Sequence, residues 1–531
     1  MRNTSVVVYL SAALLAVPVV FAQSGIGPVT HSVSAANLRV GHPATRIASP
    51  FRLKVLAQGS DPLENPSGVI TQYGYLNDFP PQPVEATKTE PDENTYLVFP
   101  KGLGGPISGY HYGHRFLFQS HEGGGDDRSY VTRINLDVKD PAHRITLLTP
   151  LGDDGLTHLN ALDGSSYDPF TKTLLYTQET GFPQGGVVEI TAAWPPVERR
   201  LDGVFGSAAY EGIHPDDRGN IYAAEDSGGV SVNVIPSDPT SPKNARQPNS
   251  FVYRFLPYNK HDLWQGGKLQ ALQVRIDGKA IVFNAADPSG DIFNDAQLKL
   301  HTPGTAFRTK WVTVHDTAVD GFDPFDSNAA AKAMLATPFK RPENLQFLPG
   351  SKYRTFFFCP TGDTSALSGN VADLSARGAW GSIFRVDMDH DRDSGWISIF
   401  FLGDSEHNSF DNLTFANRRT LLATEDRGDT LHKQLNALDS IWAFPLDGSE
   451  PLRLVGLGRD VQSENDVALA DAATPGYQNE GDNEPTGLHI SNGSTSKDEQ
   501  PGTLDNLKDA RGFFTQQHGA NRTYEIVRKH E

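Results

Sequence analysis

The sequence is almost without cysteine: Cys359 stands alone in 531 residues, so no intrachain disulfide can form and stability rests on packing. Cys359 falls in the apolar run FFFCP, which predicts a buried strand residue rather than a ligand or nucleophile. Positive charge is also scarce, with 46 Lys and Arg against 64 Asp and Glu and a formal net charge of -18. That balance argues against nucleic acid and anionic membrane as partners. It also requires an anionic substrate to be met by metal or by a local basic cluster. No long apolar run follows VVVYLSAALLAVPVVF, which leads from the single early Arg2 to Ala22. Residues 1–22 read as a secretory signal cut after Ala22, so a secreted or periplasmic protein is expected, monomeric and with no membrane span. The G-x-S-x-G elbow, the H-E-x-x-H zinc motif and the phosphate-binding loop are missing too, and no nucleophilic side chain has a placed base.

What is present is a repeat. An acid or amide ends a short apolar strand, a glycine-rich turn follows, and another strand begins. The cassette occurs at 115–126, 174–181, 221–229, 356–364, 421–429 and 512–520. In five of six an acid beside Gly, Asn or Pro precedes it, in LDGSSYDP, YEGIHPDD, PENLQFLP, FDNLTFAN and NEPTGLHI. First and second acids lie 14 residues apart in two units (Glu211 to Glu225, Asp411 to Glu425), 16 in Asp163 to Glu179 and 20 in Glu343 to Asp363. Three or four antiparallel strands per unit, repeated unevenly, describe an all-β, six-bladed β-propeller.

Repeat-equivalent positions in a propeller ring one central channel. The acids Glu122, Asp163, Glu179, Glu211, Glu225, Asp226, Glu343, Asp363, Asp411, Glu425, Asp426 and Glu484 are then expected to converge there. Bare carboxylates repel at such a mouth, and bound cations are the remedy. An oxygen-only set suits Ca²⁺, Mg²⁺ or Mn²⁺, while His121, His432 and His518 would admit iron or zinc. Any one acid is equally well explained by a capped turn or an Arg pair; the set is not. His432 and His518 are also candidates to protonate a leaving oxygen, and His518 occupies the acid-equivalent turn of the sixth unit.

Residues 23–108 read as an N-terminal extension packed on the propeller, with strand-like FRLKVLA (51–57) and TYLVFP (95–100); the blades run over 109–531. The largest insertion, 257–340, carries strand-like WVTVHDT and a short helix over 326–336, started by Asp326 or Ser327 and stopped before Pro338. Segments 446–482 and 491–510 read as surface loops.

The ordered set THLNALDGSSYDPFTKTLLYTQE, YEGIHPDDRGNIYAAED, RPENLQF, DNLTF and EPTGLHIS…FFTQQH resembles the PhoX-type alkaline phosphatases and their uncharacterised relatives from about residue 110 onward. The resemblance implies a six-bladed propeller that hydrolyses phosphate monoesters with iron and calcium in its channel. It implies metal ligation by Glu179, Glu211, Glu343 and Asp411, and phosphate contact by Arg341, whose guanidinium suits bidentate pairing with phosphate. Two departures stand out. Where the family has an iron-bridging cysteine, NALDG (160–164) offers Asn160 and Asp163, and the signal lacks a twin arginine. An oxygen-ligated divalent cluster, calcium before iron, follows. The expected activity is that of a secreted metal-dependent phosphoester hydrolase acting on a small phosphorylated substrate, with metal-bound oxygen attacking phosphorus. A calcium-centred lactonase or ester hydrolase and a non-catalytic, metal-stabilised binding propeller are the alternatives.

Overall fold

In the computed structural model the described residues are 45–66, 71–74, 89–123, 129–149, 152, 157–435, 437–458, 484–496, 510–517 and 521–529. The expected signal peptide, His518 and much of the expected surface loops lie outside them.

The architecture is all-β and propeller-like, and strand order in the chain is nearly strand order in space. Pro91–Val98, Arg115–His121, Tyr130–Asn135 and Ile145–Leu147 form the first sheet, and Leu162–Asp168, Thr173–Gln178, Gly186–Thr191 and Glu198–Arg200 the second. A ten-stranded sheet follows. It is two meanders back to back: one starts at Tyr210–Pro215, the other at Pro342–Phe347, and they meet where Phe307–Asp316 pairs with Ser394–Leu402. The next sheet starts at Phe410–Asn417 and takes Arg46–Ile47 as its outer edge. The last starts at Pro485–Ser491 and is completed by Phe51–Ala57, paired antiparallel with Arg522–Arg528.

These strands read as continuous apolar runs because both of their faces are covered. In Ile221–Glu225, Ile221 and Ala223 pack toward the second sheet, while Tyr222 and Ala224 pack toward Phe347, Phe356 and Phe358. Thr355–Pro360 repeats the pattern, with Phe356 and Phe358 on one face and Phe357 and Cys359 on the other. Cys359 is fully buried, as expected of a strand cysteine. Each apolar layer joins one sheet, or one half of the ten-stranded sheet, to the next, and the layer holding Leu56, Tyr96, Leu117 and Phe513 joins the last to the first. The ring is thereby closed.

Two expected boundaries change. The segment 23–108 is not merely packed on the sheets: Pro91–Val98 is the innermost strand of the first sheet and Phe51–Ala57 the outermost of the last. The insertion 257–340 supplies strands Gly267–Ile276 and Phe307–Asp316 to the ten-stranded sheet, so only part of it is an excursion. Its expected helix forms as Ser327–Ala333, capped by Asp326, whose side chain accepts from the Ala329 N–H at 2.8 Å.

Candidate metal-binding active site

One device recurs at the start of every innermost strand. The pairing register slips between Pro91 and Asn94, Leu162 and Ser165, Tyr210 and Ile213, Pro342 and Leu345, Phe410 and Leu413, and Thr486 and His489. Each slip is a bulge, which re-aims a side chain out of the sheet. The first residue inside it is Asp92, Asp163, Glu211, Glu343 or Asp411 in five of the six and Gly487 in the last. A second recurrence fixes the neighbouring strand: the N–H of Glu122, Glu179, Asp226, Thr361, Asp426 and Gln517 donates to the carbonyl just ahead of the innermost strand. Four of those carbonyl residues, Glu90, Ala161, Arg341 and Ser409, hold φ between 41 and 56°, where a residue with a Cβ pays about 1–3 kcal/mol. The same strained step is kept in four places, and Arg341 takes it.

Neighbouring bulges are pressed together. A Cβ on Gly164 would lie 1.9 Å from the Glu211 carbonyl oxygen, so only glycine fits there. Thr177 Oγ1 donates to that same carbonyl at 2.6 Å, and Ser120 and Cys359 donate equivalently to the carbonyls of Asp163 and Asp411. Cys359 is thus one of a series of small donors locking each bulge to its neighbour. Burial pushes its thiol pKa up, so it stays protonated.

The result is a cavity of about 300 Å³ in which ten carboxylates face Arg341 and Arg427. Two groups each have oxygens within 4.8 Å of one another: Glu179, Glu211, Asp226 and Glu343, and beside them Asp92, Glu122 and Asp163. Asp411, Asp426 and Glu484 line the same cavity. Burial, and then mutual repulsion, push the pKa values of Asp92, Asp163, Glu179, Glu211, Glu343 and Glu484 well above the ordinary carboxylate range. Asp411 is also raised by burial, although hydrogen bonds from Asn412 at 2.8 Å and Thr424 at 3.2 Å oppose the shift. Buried Asp163 Oδ1 and Glu211 Oε2 meet no hydrogen-bond donor among the described residues. Orphaned, crowded and purely oxygenic, the set fits hard divalent cations. No thiol joins it.

Arg341 is gripped by Asp226, to which Nε donates at 2.9 and 3.0 Å and Nη2 at 2.7 Å, and Nη2 lies 3.4 Å from Glu343. Burial works against its charge, but these carboxylates outweigh burial and raise its pKa.

The structure brings together Glu122, Asp163, Glu179, Glu211, Glu343, Asp411, Glu484 and Arg341. Four other expected residues go elsewhere, among them Asp363, whose carboxylate pairs with Lys340 at 2.7 Å outside this cavity. Glu225 accepts from the Phe251 N–H, the Tyr253 hydroxyl and Asn328 at 2.7–3.0 Å, behind the channel wall. Glu425 accepts from the N–H groups of Asn408 and Ser440 and from Arg427. His432, in the helix Gly428–Leu435, is buried against Asp439 at 2.8 Å and does not line the channel. In each acidic doublet the second member faces the cavity, Asp226 and Asp426, because successive strand residues point to opposite faces. His121 is likewise buried, between Thr89 and Thr132, with its pKa lowered by burial. Asp92 was missed, though PDEN (91–94) has the form of PENL and FDNL.

A family model described as alkaline phosphatase PhoX matches residues 160–441. The solved structure of Pseudomonas fluorescens PhoX in complex with vanadate, a transition state analogue, aligns over 95% of this chain and 98% of its own, with a TM-score of 0.54 and 13% identity. The iodide structure of a Trichoderma reesei carbohydrate-active enzyme of family AA12 covers 93% of this chain and 100% of its own at a TM-score of 0.30 and 10% identity. No curated protein matches the sequence.

Proposed function

The chain belongs to the PhoX alkaline phosphatase family, and on that premise we propose that it is a secreted, metal-dependent phosphoric monoester hydrolase acting on small phosphorylated substrates in the acid-lined channel. The observation that carries this reading is the placement of Arg341, a partly buried guanidinium at the edge of a carboxylate cluster whose acids outnumber its cations. Glu179, Glu211, Asp226 and Glu343 would hold one divalent cation and Asp92, Glu122 and Asp163 another, with Asp411 and Glu484 alongside. When bound, such cations supply charge neutralisation and Lewis acidity toward phosphoryl oxygens. Asp226 fixes the plane of Arg341 through Nε and Nη2, leaving Nη1 outside those bonds to meet a phosphate oxygen. Thr361 Oγ1 donates to Glu343 and holds that carboxylate beside Arg341. Bulges on rigid strands keep these groups preorganised, which is what phosphoryl transfer chiefly demands.

We read the fold as six blades, the ten-stranded sheet being two of them joined through Phe307–Asp316. Calcium is the favoured ion, since Cys359 is turned into the strand packing and no sulfur reaches the cluster. No described helix is long and apolar enough to cross a membrane, and export rests on residues 1–22.

The test is turnover by the purified full chain loaded with Ca²⁺, Mn²⁺ or iron. Its substrates are phosphomonoesters, phosphodiesters, lactones and carboxylic esters, and its control is the double variant Arg341→Ala, Glu343→Ala. Monoester hydrolysis above the control is expected, with elemental analysis naming the metal. Turnover confined to lactones or esters, or none at all, sinks the reading.

A further inference from the structure

Beside the channel mouth opens a second cavity of about 270 Å³, walled by Ser231, Asn244, Arg246, Asp363, Ser365 and Thr430 and sharing Thr364, Arg427 and Gly428 with the acid channel. Its wall is a hairpin in which Ser231–Asn233 pairs with Lys243–Arg246 and Arg246 lies opposite Ser231. Alternation along this strand separates two tasks. Ala245 is fully buried in an apolar layer with Val234, Ile292 and Leu374, so Asn244 and Arg246 face the other way, into the cavity. The Arg246 N–H donates to Asp363 at 3.2 Å, pinning the hairpin to the channel rim.

The cations around this rim are not equivalent. Lys340 is paired with Asp363 at 2.7 Å, Arg341 with Asp226, and Arg427 with Glu425 at 2.7 Å. The Arg246 guanidinium is half-buried, and among the described residues no carboxylate stands within ion-pair distance of it. Burial, and then the like charge of Arg341, hold its pKa below the ordinary arginine value against the opposing pull of Asp226, Asp363 and Glu343. The wall offers hydroxyls, an amide, two guanidiniums and one carboxylate, Asp363, whose charge is met by Lys340, and no aliphatic or aromatic side chain beyond the threonine methyls.

We propose that this cavity receives the leaving group of the substrate, with Arg246 as its anion-binding residue, so that the preferred substrates are phosphate monoesters whose alcohol portion is polar and carries a second negative charge. The inference rests on the phosphoesterase reading: the phosphoryl group lies at Arg341 and the remainder of the molecule extends across Thr364 into the cavity. Arg246 is then a specificity-determining residue.

The experiment compares 3-phosphoglycerate with 4-nitrophenyl phosphate on the metal-loaded full chain. In Arg246→Ala the ratio of kcat/KM values, anionic over aryl substrate, falls roughly 10- to 100-fold through KM, the scale of one lost charge-assisted contact. Arg246→Lys, which keeps the charge, retains most of the ratio. An unchanged ratio in Arg246→Ala, or equal losses on both substrates, overturns the proposal. If the wild type turns over neither compound, the phosphoesterase reading falls by itself. Calorimetry with 3-phosphoglycerate then decides the cavity: a Kd at least tenfold weaker in Arg246→Ala supports it, and an equal Kd overturns it.

Discussion

Two kinds of buried acid sit one residue apart in this molecule. Glu225 has its carboxyl group satisfied by protein, with an N–H, a hydroxyl and an amide pointing at it. Asp226 turns the other way, into a cavity shared with nine further carboxylates. The doublet Glu425 and Asp426 repeats the division. An acid with converging protein donors is part of the scaffold, while an acid with only other acids and a guanidinium for company is a ligand in waiting. Burial alone does not separate them; the partner set does.

The hardest way to break that comparison is Glu211→Gln, which removes one charge from the first carboxylate group and leaves its shape. Phosphomonoesterase activity is expected to fall by about a thousandfold. The metal-free melting temperature should hold or rise, because a crowded buried charge has gone. A cooperative loss of fold would put Glu211 in the scaffold class instead.

Glu225→Ala should do the reverse. It strands the Phe251 N–H and the Tyr253 hydroxyl and is expected to cost about 2–4 kcal/mol of stability, read by denaturant titration. Metal content by elemental analysis should stay at the wild-type value. A lost metal with unchanged stability would invert the assignment.

The pH dependence of the metal-free protein sharpens the contrast further. Burial raises Glu225 to about 8, and raises Glu93, aided by the nearby Asp411 charge, also to about 8, from an ordinary 4.5. A carboxylate with a raised folded pKa contributes stability that is fully present below about pH 4.5 and is lost as pH rises through about 8. With chelator the melting temperature should therefore decline from pH 5 toward 9, and with saturating Ca²⁺ the channel's share of that decline should flatten through ligand linkage. Identical slopes with and without Ca²⁺ would deny the channel a cation.

The smallest effect is expected from Cys359→Ser. Serine already serves at the equivalent position, where Ser120 donates to the Asp163 carbonyl. Melting temperature should shift by only a few degrees and metal content not at all. Loss of metal would return the thiol to the list of ligands.

The sequence carries much of this in its local pattern. Asp163, Glu211, Glu343 and Asp411 each begin a short motif with Gly or Asn at the next position, and all four face the channel. Asp92 escaped because PDEN is embedded in a Pro-rich, charged stretch whose strand partner, Arg115–His121, comes only after an intervening loop. The choice between Glu225 and Asp226 was unreadable for a different reason. It depends on strand register, and two adjacent acids at one strand end carry no sign of which face each will take. His432 was misplaced because the helix that carries it turns it onto Asp439, beyond the helix end, and a lone histidine does not announce which side of a helix it will take. Arg246 reaches the rim on a hairpin that pairs only with itself, so no repeat could have pointed to it.

The pairing of Phe51–Ala57 with Arg522–Arg528 has a temporal consequence. The channel draws Asp92 from near the start of the chain and Glu484 from near its end. A nascent chain halted before residue 511 already carries Glu484 but has a partner neither for Phe51–Ala57 nor for Pro485–Ser491, the strand that follows Glu484. The acid-lined cavity is therefore complete only when the two ends of the polypeptide meet, and removing either Phe51–Ala57 or Arg522–Arg528 should dismantle it without touching one of its own carboxylates.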